Sequence, residues 1–484
     1  MEGKRLPSER VGASGRGWLA ARGNAAPFVA VRREPDVAIL AFVVLTLPLE
    51  LSKQLFPFQV IEISRLAMVV GFVILAARLL RGRLAPVPRQ FIVAIGLLVT
   101  VSGWSLVMTR WPNGIRIEAA MATYAFFALF VAQAVRDLRG LKIVTTALVV
   151  SGVMVACVLL MQSLFDFYLW FEGGQGVLGR RNGTFADPNI TSRFLTLALI
   201  AALALIAATR GLPRRTLVAL MAAVALFGVG QALTQSRAGW LVVVVPMALW
   251  LAIVRPWPRT LVPMAVFLFG FAGTLFFNPT ALLRASSTAT DVGGLIGRSI
   301  NPDDSSSPDR PGQAAYDDVG PPVALDPVLN RLPLDSVRRY LARAGAAMFL
   351  DHPLVGVGLG GYQPQILGPY RAYVPADRGP SPVSLPHAEL IRIAAETGLV
   401  GLLALVILAV AIGRATWSAL RGPPPVSIAA TALGLGILAI FVASQFEGRL
   451  YDEPYLWLLI GLVATLPRIA ARARTAGDAG STQS

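Results

Sequence analysis

Cysteine, histidine and charge are scarce in this chain, and each shortage removes a class of answer. One cysteine, Cys157, stands in 484 residues, so there is no disulfide framework and no thiolate metal site. It lies inside an apolar run and reads as core filler. Histidine occurs twice, at His352 and His387. Charged residues make up 14% of the chain against 55% hydrophobic, with a mean hydropathy of +0.63, a balance that no soluble domain matches. Acids are outnumbered by bases, 27 to 43, for a net charge of +16. Such an excess would suit a nucleic-acid ligand, but the basic residues recur between apolar segments, where membrane orientation accounts for them.

What the chain has in quantity is apolar runs, and their order predicts an all-α polytopic integral membrane protein. Residues 1–35 form a polar tail carrying Lys4, Arg5, Arg10, Arg16, Arg22, Arg32 and Arg33, expected to be a disordered cytoplasmic arm. The first apolar run, 36–51, passes into Glu50 and Lys53 without a small-residue cleavage site, so it is expected to be retained rather than removed as a signal peptide. Further runs follow at 62–80, 90–109, 115–135, 143–165, 190–209, 215–233, 239–254, 260–277, 387–413, 427–446 and 454–467, making about twelve spans. Nine of them fill 36–277, a large connection occupies 278–386, three more fill 387–467, and 468–484 is a tail.

Charge in the connections gives an independent reading of orientation, because short cytoplasmic loops are rich in Lys and Arg. The even-numbered connections carry Arg78/Arg81/Arg83/Arg89, Arg136/Arg139/Lys142, Arg210/Arg214/Arg215, Arg255/Arg259 and Arg414/Arg421, and the tail carries Arg468/Arg472/Arg474. With twelve spans these share one side. Both termini are then cytoplasmic and the 278–386 segment faces out.

Two short outer connections break the pattern, with Arg180 and Arg181 after span five and Arg237 after span seven. An arginine there is not needed for orientation, and its planar fork suits a bidentate grip on phosphate oxygens. Arg181 stands in a Gly- and Asn-rich turn, Gly179 to Asn189, where Asp187 or Asn189 is placed to cap the next helix and leave backbone N–H groups facing the arginines. A plain capped loop reads the same way. Arg237 follows Gln235 and Ser236 in a short polar stretch at the outer membrane edge, where it meets lipid headgroups under any reading. The Asn182 and Asn189 glycosylation patterns are weak three-residue matches.

The 278–386 segment has two textures. Residues 284–335, with Asp303/Asp304, Asp317/Asp318 and many Pro and Ser, read as flexible, and the paired acids as solvated rather than metal-binding. Within 336–362 an amphipathic helix interleaves Arg338, Arg339 and Arg343 with Val337, Tyr340, Leu341 and Met348, expected to lie along the membrane surface or pack over a site. It ends at His352-Pro353, before the glycine-rich run to Tyr362. Those glycines permit tight turns or close approach to a ligand. No Lys-Ser/Thr follows, so a nucleotide-binding loop does not fit. His352 either finishes the helix or serves chemistry.

His387 opens the tenth span. It lies 27 residues before Arg414, roughly 40 Å of straight helix, and therefore about 10 Å beyond a hydrocarbon core ~30 Å thick. That places an imidazole among lipid phosphates.

These motifs resemble the O-antigen ligase and polymerase superfamily, bacterial membrane glycosyltransferases that take glycans from undecaprenyl-diphosphate carriers. The resemblance rests on His387 with Gly398 and Gly401, the His352-to-Gly358 segment, Ser236-Arg237, and the Arg181-to-Asn189 turn. Ala388 stands where relatives usually carry Asn, Ser or Gln. The resemblance implies a large outer segment closing over the site, with the motif histidine and arginines as the implicated groups. Chemistry agrees: a leaving diphosphate needs fixed cations, and an acceptor hydroxyl needs a base with a pKa near ~6.5. His387, Arg237 and Arg181 are the expected catalytic set, and Arg180, Ser236, Asn189, His352 and Tyr362 the expected diphosphate and glycan contacts. The scheme requires neither metal nor cofactor. Expected partners are the lipid-linked donor, a lipid A core or glycan acceptor, and membrane lipids, in the bacterial inner membrane with the site facing the periplasm.

Three acceptors divide the superfamily: lipid A core for a ligase, a second lipid-linked glycan for a polymerase, and a protein serine for an oligosaccharyltransferase. The absence of a large domain after span twelve argues against the last, and the ligase is the preferred reading. Glu447, Asp452 and Glu453, with Arg449 and Tyr451, are candidate sugar contacts or simply solvated. A transporter or flippase also suits twelve spans, but the chain has no half-to-half repeat and its long connection is off-centre.

Overall fold

The computed structural model describes residues 35–49, 63–167, 180–209, 211–255, 258–288, 319–329, 336–376 and 385–481. The tail through residue 34, the acidic pairs Asp303/Asp304 and Asp317/Asp318, and Glu50 and Lys53 lie outside them. Among the described residues there is no strand. Nine apolar helices come first: α1 (Pro35–Thr46), α2 (Ile63–Leu80), α3 (Arg89–Thr109), α4 (Pro112–Ala134), α5 (Leu138–Phe165), α6 (Pro188–Ala208), α7 (Arg214–Thr234), α8 (Arg237–Ile253) and α9 (Pro258–Phe277). Then come α10 (Ser336–Asp351) and the short α11 (Tyr362–Leu367), followed by α12 (Glu389–Leu420), α13 (Pro424–Glu447) and α14 (Pro454–Ser481).

An apolar helix thus stands at each of the twelve expected spans. Ten are long and apolar enough to cross a membrane, whereas α1 has 12 residues and α8 has 17. The chain is an all-α, multi-pass membrane protein. Burial ranks the helices: α6 is enclosed along nearly its whole length between α5, α7, α8 and α13, while α2 turns Val69, Val70 and Val73 outward. A polar residue on α6 therefore has to find its partner inside the bundle.

Alternating helices give the bundle two chemically different ends. At one, Arg78 pairs with Asp36 and its Nη1 donates to the Gln133 carbonyl at 3.1 Å, while Arg468 Nη2 donates to the carbonyls of Ala132 and Val135 at 2.7 Å each. At the other meet the α3–α4, α5–α6, α7–α8 and α13–α14 connections.

The connection between α9 and α12, expected to be the outer segment, has a core of its own among its described residues. Tyr340, Leu341, Met348, Tyr362, Ile366, Tyr370 and Tyr373 enclose it together with Val323 and Leu329. α10 is buried from Tyr340 to Ala347 and packs on the first turns of α12. Arg343, expected on a polar face, is instead enclosed: its Nε donates to Asp326 Oδ1 at 2.8 Å and its Nη1 to the Val319 carbonyl at 2.8 Å. The segment expected to be flexible, 284–335, is accordingly folded at its two ends, in a helix running over 279–288 and in 319–329, with 289–318 and 330–335 outside the described residues.

Candidate functional site

The α5–α6 turn is held from several sides. Asp187 is the cap of α6, its Oδ1 accepting from the Asn189 N–H at 2.7 Å. Gln162 clasps the turn: its Nε2 donates to Asn182 Oδ1 and the Gly183 carbonyl, each at 3.1 Å, and its Oε1 accepts from the Gly183 N–H at 2.8 Å. Phe185 packs against Phe194 and Tyr455. Asn182 is wholly buried, which removes it as a glycosylation acceptor. On this rigid support Arg180 Nη2 donates to Asn189 Oδ1 at 2.8 Å and its Nε to the Thr234 carbonyl at 3.3 Å. Arg181 Nη2 reaches the exposed Asp166 at 2.7 Å, at the end of α5.

The α7–α8 turn comes to the same place. Gln235 ends α7 in a left-handed conformation, and Ser236 caps α8 by accepting from the Gly239 N–H at 3.0 Å. The Ser236 hydroxyl also donates to Asn189 Oδ1 at 2.7 Å, so this one oxygen gathers both Ser236 and Arg180. Arg237 is the first residue of α8, and its Nη2 donates to Ser287 Oγ at 2.7 Å.

A further arginine joins them that the sequence reading passed over. Arg284 Nε donates to the Gln235 carbonyl at 2.8 Å. Its pKa is lowered to about 10, first by burial and then by repulsion from Arg180 and Arg237. Arg180 is lowered too, chiefly by burial, against the opposing pull of Asp187 and Glu447. The available signal was a helical face: Thr280, Arg284 and Ser287 fall at i, i+4 and i+7, and all three bond to residues 235–237.

The glycine-rich segment after His352 meets a break in α12. Gly398 has φ 61° and ψ −158° inside that helix, so the usual bonds from the N–H groups of Leu399 and Val400 to the carbonyls of Ala395 and Glu396 do not form. Residues 353–358 lie in the gap and pair all four groups. The Pro353 and Leu354 carbonyls accept from Leu399 and Val400 at 2.8 and 3.2 Å, and the Val357 and Gly358 N–H groups donate to Ala395 and Glu396 at 2.8 and 3.0 Å. A broken helix at membrane depth persists only where such partners exist. A Cβ at Gly356 would lie 2.4 Å from the Glu396 carbonyl carbon. The close approach expected of these glycines is therefore made to α12. The break also invalidates a straight-helix distance for His387, and α12 itself begins two residues later, at Glu389.

His387 precedes α12 with φ 48°. Its neighbour is the α13–α14 connection: a Cβ on Gly448 would stand 3.5 Å from His387 Cα. Two arginines hold that connection. Arg392 Nη1 donates to the Gly448 carbonyl at 3.0 Å and sits between Glu389 and Glu396, at 3.6 and 3.4 Å. Arg193, on α6 one turn past Asn189, donates to the Arg449 carbonyl at 3.4 Å, lies 3.2 Å from Glu447, and pairs with Glu453. Glu447 and Glu453 are thus enclosed counter-charges rather than solvated loop acids, whereas Asp452 is exposed. Arg193 escaped sequence reasoning because it looked like the edge of an apolar run.

Arg180, Arg237, Ser236 and Asn189 therefore surround one turn, with Arg181 on its flank. His387 joins them through 447–449, where Glu447 acts on Arg180 and Gly448 touches His387. His352 stands apart, exposed where it closes α10 by donating its N–H to the Met348 carbonyl at 3.0 Å. Tyr362 is inside the outer core, its hydroxyl donating to the Leu341 carbonyl at 2.6 Å and its N–H to Glu396 at 3.3 Å.

Residues 222–406 match the O-antigen ligase family. Over that stretch the chain is similar to O-antigen ligases. The match supports the O-antigen ligase and polymerase superfamily, whose members are membrane glycosyltransferase-like enzymes acting between a lipid-linked glycan and a glycan acceptor. The matched stretch runs from α7 into α12 and so contains Arg237, Arg284, His387 and both sides of the Gly398 break. The α5–α6 turn and the 447–453 connection lie beyond it and complete its surroundings. No curated protein matches the sequence.

Proposed function

We propose that this protein is an inverting glycosyltransferase that moves a glycan from an undecaprenyl-diphosphate carrier to a lipid A core acceptor at the periplasmic face of the inner membrane. The observation that carries the reading is the gathering of Arg180 and Arg237 about Asn189 and the α7–α8 turn, with Arg181 on its flank, joined to His387 through 447–449. The orientation is supported by the charge of the opposite end, where Arg78, Arg136, Arg468 and Arg472 meet.

In this scheme the acceptor oxygen attacks the anomeric carbon as the bond from that carbon to the phosphate oxygen breaks. The new glycosidic bond forms on the opposite face. The hydroxyl proton passes to His387, and the electron pair leaves with the diphosphate, whose added charge Arg237, Arg181 and Arg180 neutralise. Ser236 and Asn189 keep the arginines in place. His352 and Tyr362 serve by fixing the outer segment, His352 at the end of α10 and Tyr362 on Glu396.

The test is transfer from a lipid-diphosphate glycan by purified protein, with mass spectrometry of the product and its acceptor. Arg237→Ala and His387→Ala are expected to lose at least about a hundredfold in rate, in the range for a removed acid–base or charge-stabilising group. Full activity in both variants, or strict dependence on added divalent metal, refutes the scheme. Product extended on the carrier rather than attached to lipid A core would make the enzyme a polymerase.

A further inference from the structure

The α7–α8 turn binds two guanidinium groups and contributes a third. Thr234 offers its carbonyl to Arg180, Gln235 offers its carbonyl to Arg284, and Arg237 is itself part of the turn. The three arginines come from three separate connections, and each is anchored by at least one hydrogen bond that fixes its head. The helix over 279–288 is tied to the turn by Gln235 Nε2 donating to Thr280 at 3.1 Å, as well as through Arg284 and Ser287. Like charges brought together and partly removed from water cost stability, a cost that an anion placed among them offsets. Among the described residues, the charges that lower the pKa of Arg284 are those of Arg180 and Arg237, both repulsive.

From this geometry we infer that Arg284 is a further anion-binding residue, which with Arg180 and Arg237 forms a three-armed site for a diphosphate and couples donor binding to the root of the outer segment. The inference rests on the donor chemistry proposed above and adds to it a discrimination. Two phosphates offer enough oxygens for three forks, whereas a single phosphate engages fewer arms. Arg284 therefore contributes more to holding a diphosphate than a monophosphate. Because it sits on the helix over 279–288, occupancy also strengthens the tie of that helix to the membrane bundle.

The experiment uses the full chain in lipid nanodiscs, titrated with polyprenyl diphosphate and with polyprenyl monophosphate of equal chain length. The wild type is expected to prefer the diphosphate. Arg284→Gln is expected to lose about tenfold in diphosphate affinity, the scale of one charge-assisted hydrogen bond, with a much smaller change for the monophosphate. Arg284→Lys restores part of the loss by returning charge without the fork. Thr280→Val loosens the same helix without removing charge and is expected to keep the preference. Wild-type affinity in Arg284→Gln alongside a loss in Arg237→Ala overturns the role of Arg284 and spares the proposed function. An equal loss in Thr280→Val shows that Arg284 only braces the helix, which also overturns it. Phosphatidylglycerol competing as well as the diphosphate makes the site a general headgroup contact and overturns it. A wild type that does not favour the diphosphate removes this inference and the proposed donor together.

Discussion

At the scale of single residues, the charges that sequence reasoning found and missed differ in how far away their partners lie. Arg237 and Arg181 were legible because they violate a loop-charge rule that can be checked locally. Arg193 was not, since Glu453 is 260 positions away and only the fold brings them together. Its enclosure makes a sharp expectation. Arg193→Ala removes the buried cation that pairs with both Glu447 and Glu453, a loss of roughly 3–5 kcal/mol, and thermal unfolding in detergent should show a large fall. Adding Glu447→Gln and Glu453→Gln should recover much of it, because the buried charges are then gone; no recovery would mean that shape, not charge, holds the turn.

Arg284 offers a charge dependence at the same scale. Burial and repulsion from Arg180 and Arg237 disfavour its charged form, and a bound anion relieves that repulsion. Thermal stabilisation by sulfate, measured against chloride at matched ionic strength, should therefore be smaller in Arg284→Gln than in the wild type. Equal stabilisation of the two would remove Arg284 from the anion contacts.

At the scale of elements, α12 is where pattern and cause were furthest apart. The spacing of His387, Gly398 and Gly401 was visible, but its reason was not: Gly398 adopts backbone angles open only to glycine, and the groups it frees are paired by 353–358, about forty residues earlier. The two glycine-bearing motifs are halves of one junction. A side chain at Gly398 would meet the Leu354 carbonyl carbon at 2.4 Å in addition to the backbone strain. Gly398→Ala is therefore expected to destabilise the protein by at least ~1–3 kcal/mol and to expose the outer segment to protease. Gly413→Ala, later in the same helix with open space around it, should be neutral or stabilising by up to ~1 kcal/mol. Equal behaviour of the two variants would dissolve the junction argument. The run of amphipathic residues in α10 misled for a related reason, since Arg343 looks like a polar-face residue until Asp326 is brought to it.

At the scale of the whole molecule, hydropathy made the helices legible because every span had to be apolar on its own account, whatever its neighbours. It did not reveal that α6 is the enclosed pillar, because an apolar run reads the same whether it faces lipid or protein. The two ends predict sidedness: basic connections gather at one, and the arginine turns, His387 and the 447–453 connection at the other. Positive charge is retained on the cytoplasmic side, so the end bearing Asp452 should be external. The chain's single cysteine simplifies the measurement. Cys157, expected as core filler, is instead exposed on α5, and Cys157→Ser gives a background with no thiol. Asp452→Cys and Arg421→Cys then place one thiol at each end, both at exposed positions. In intact spheroplasts a membrane-impermeant maleimide is expected to label the variant at 452 and to reach the one at 421 only after permeabilisation. The reverse pattern would put the arginine turns on the cytoplasmic side, where a periplasmic acceptor cannot reach them.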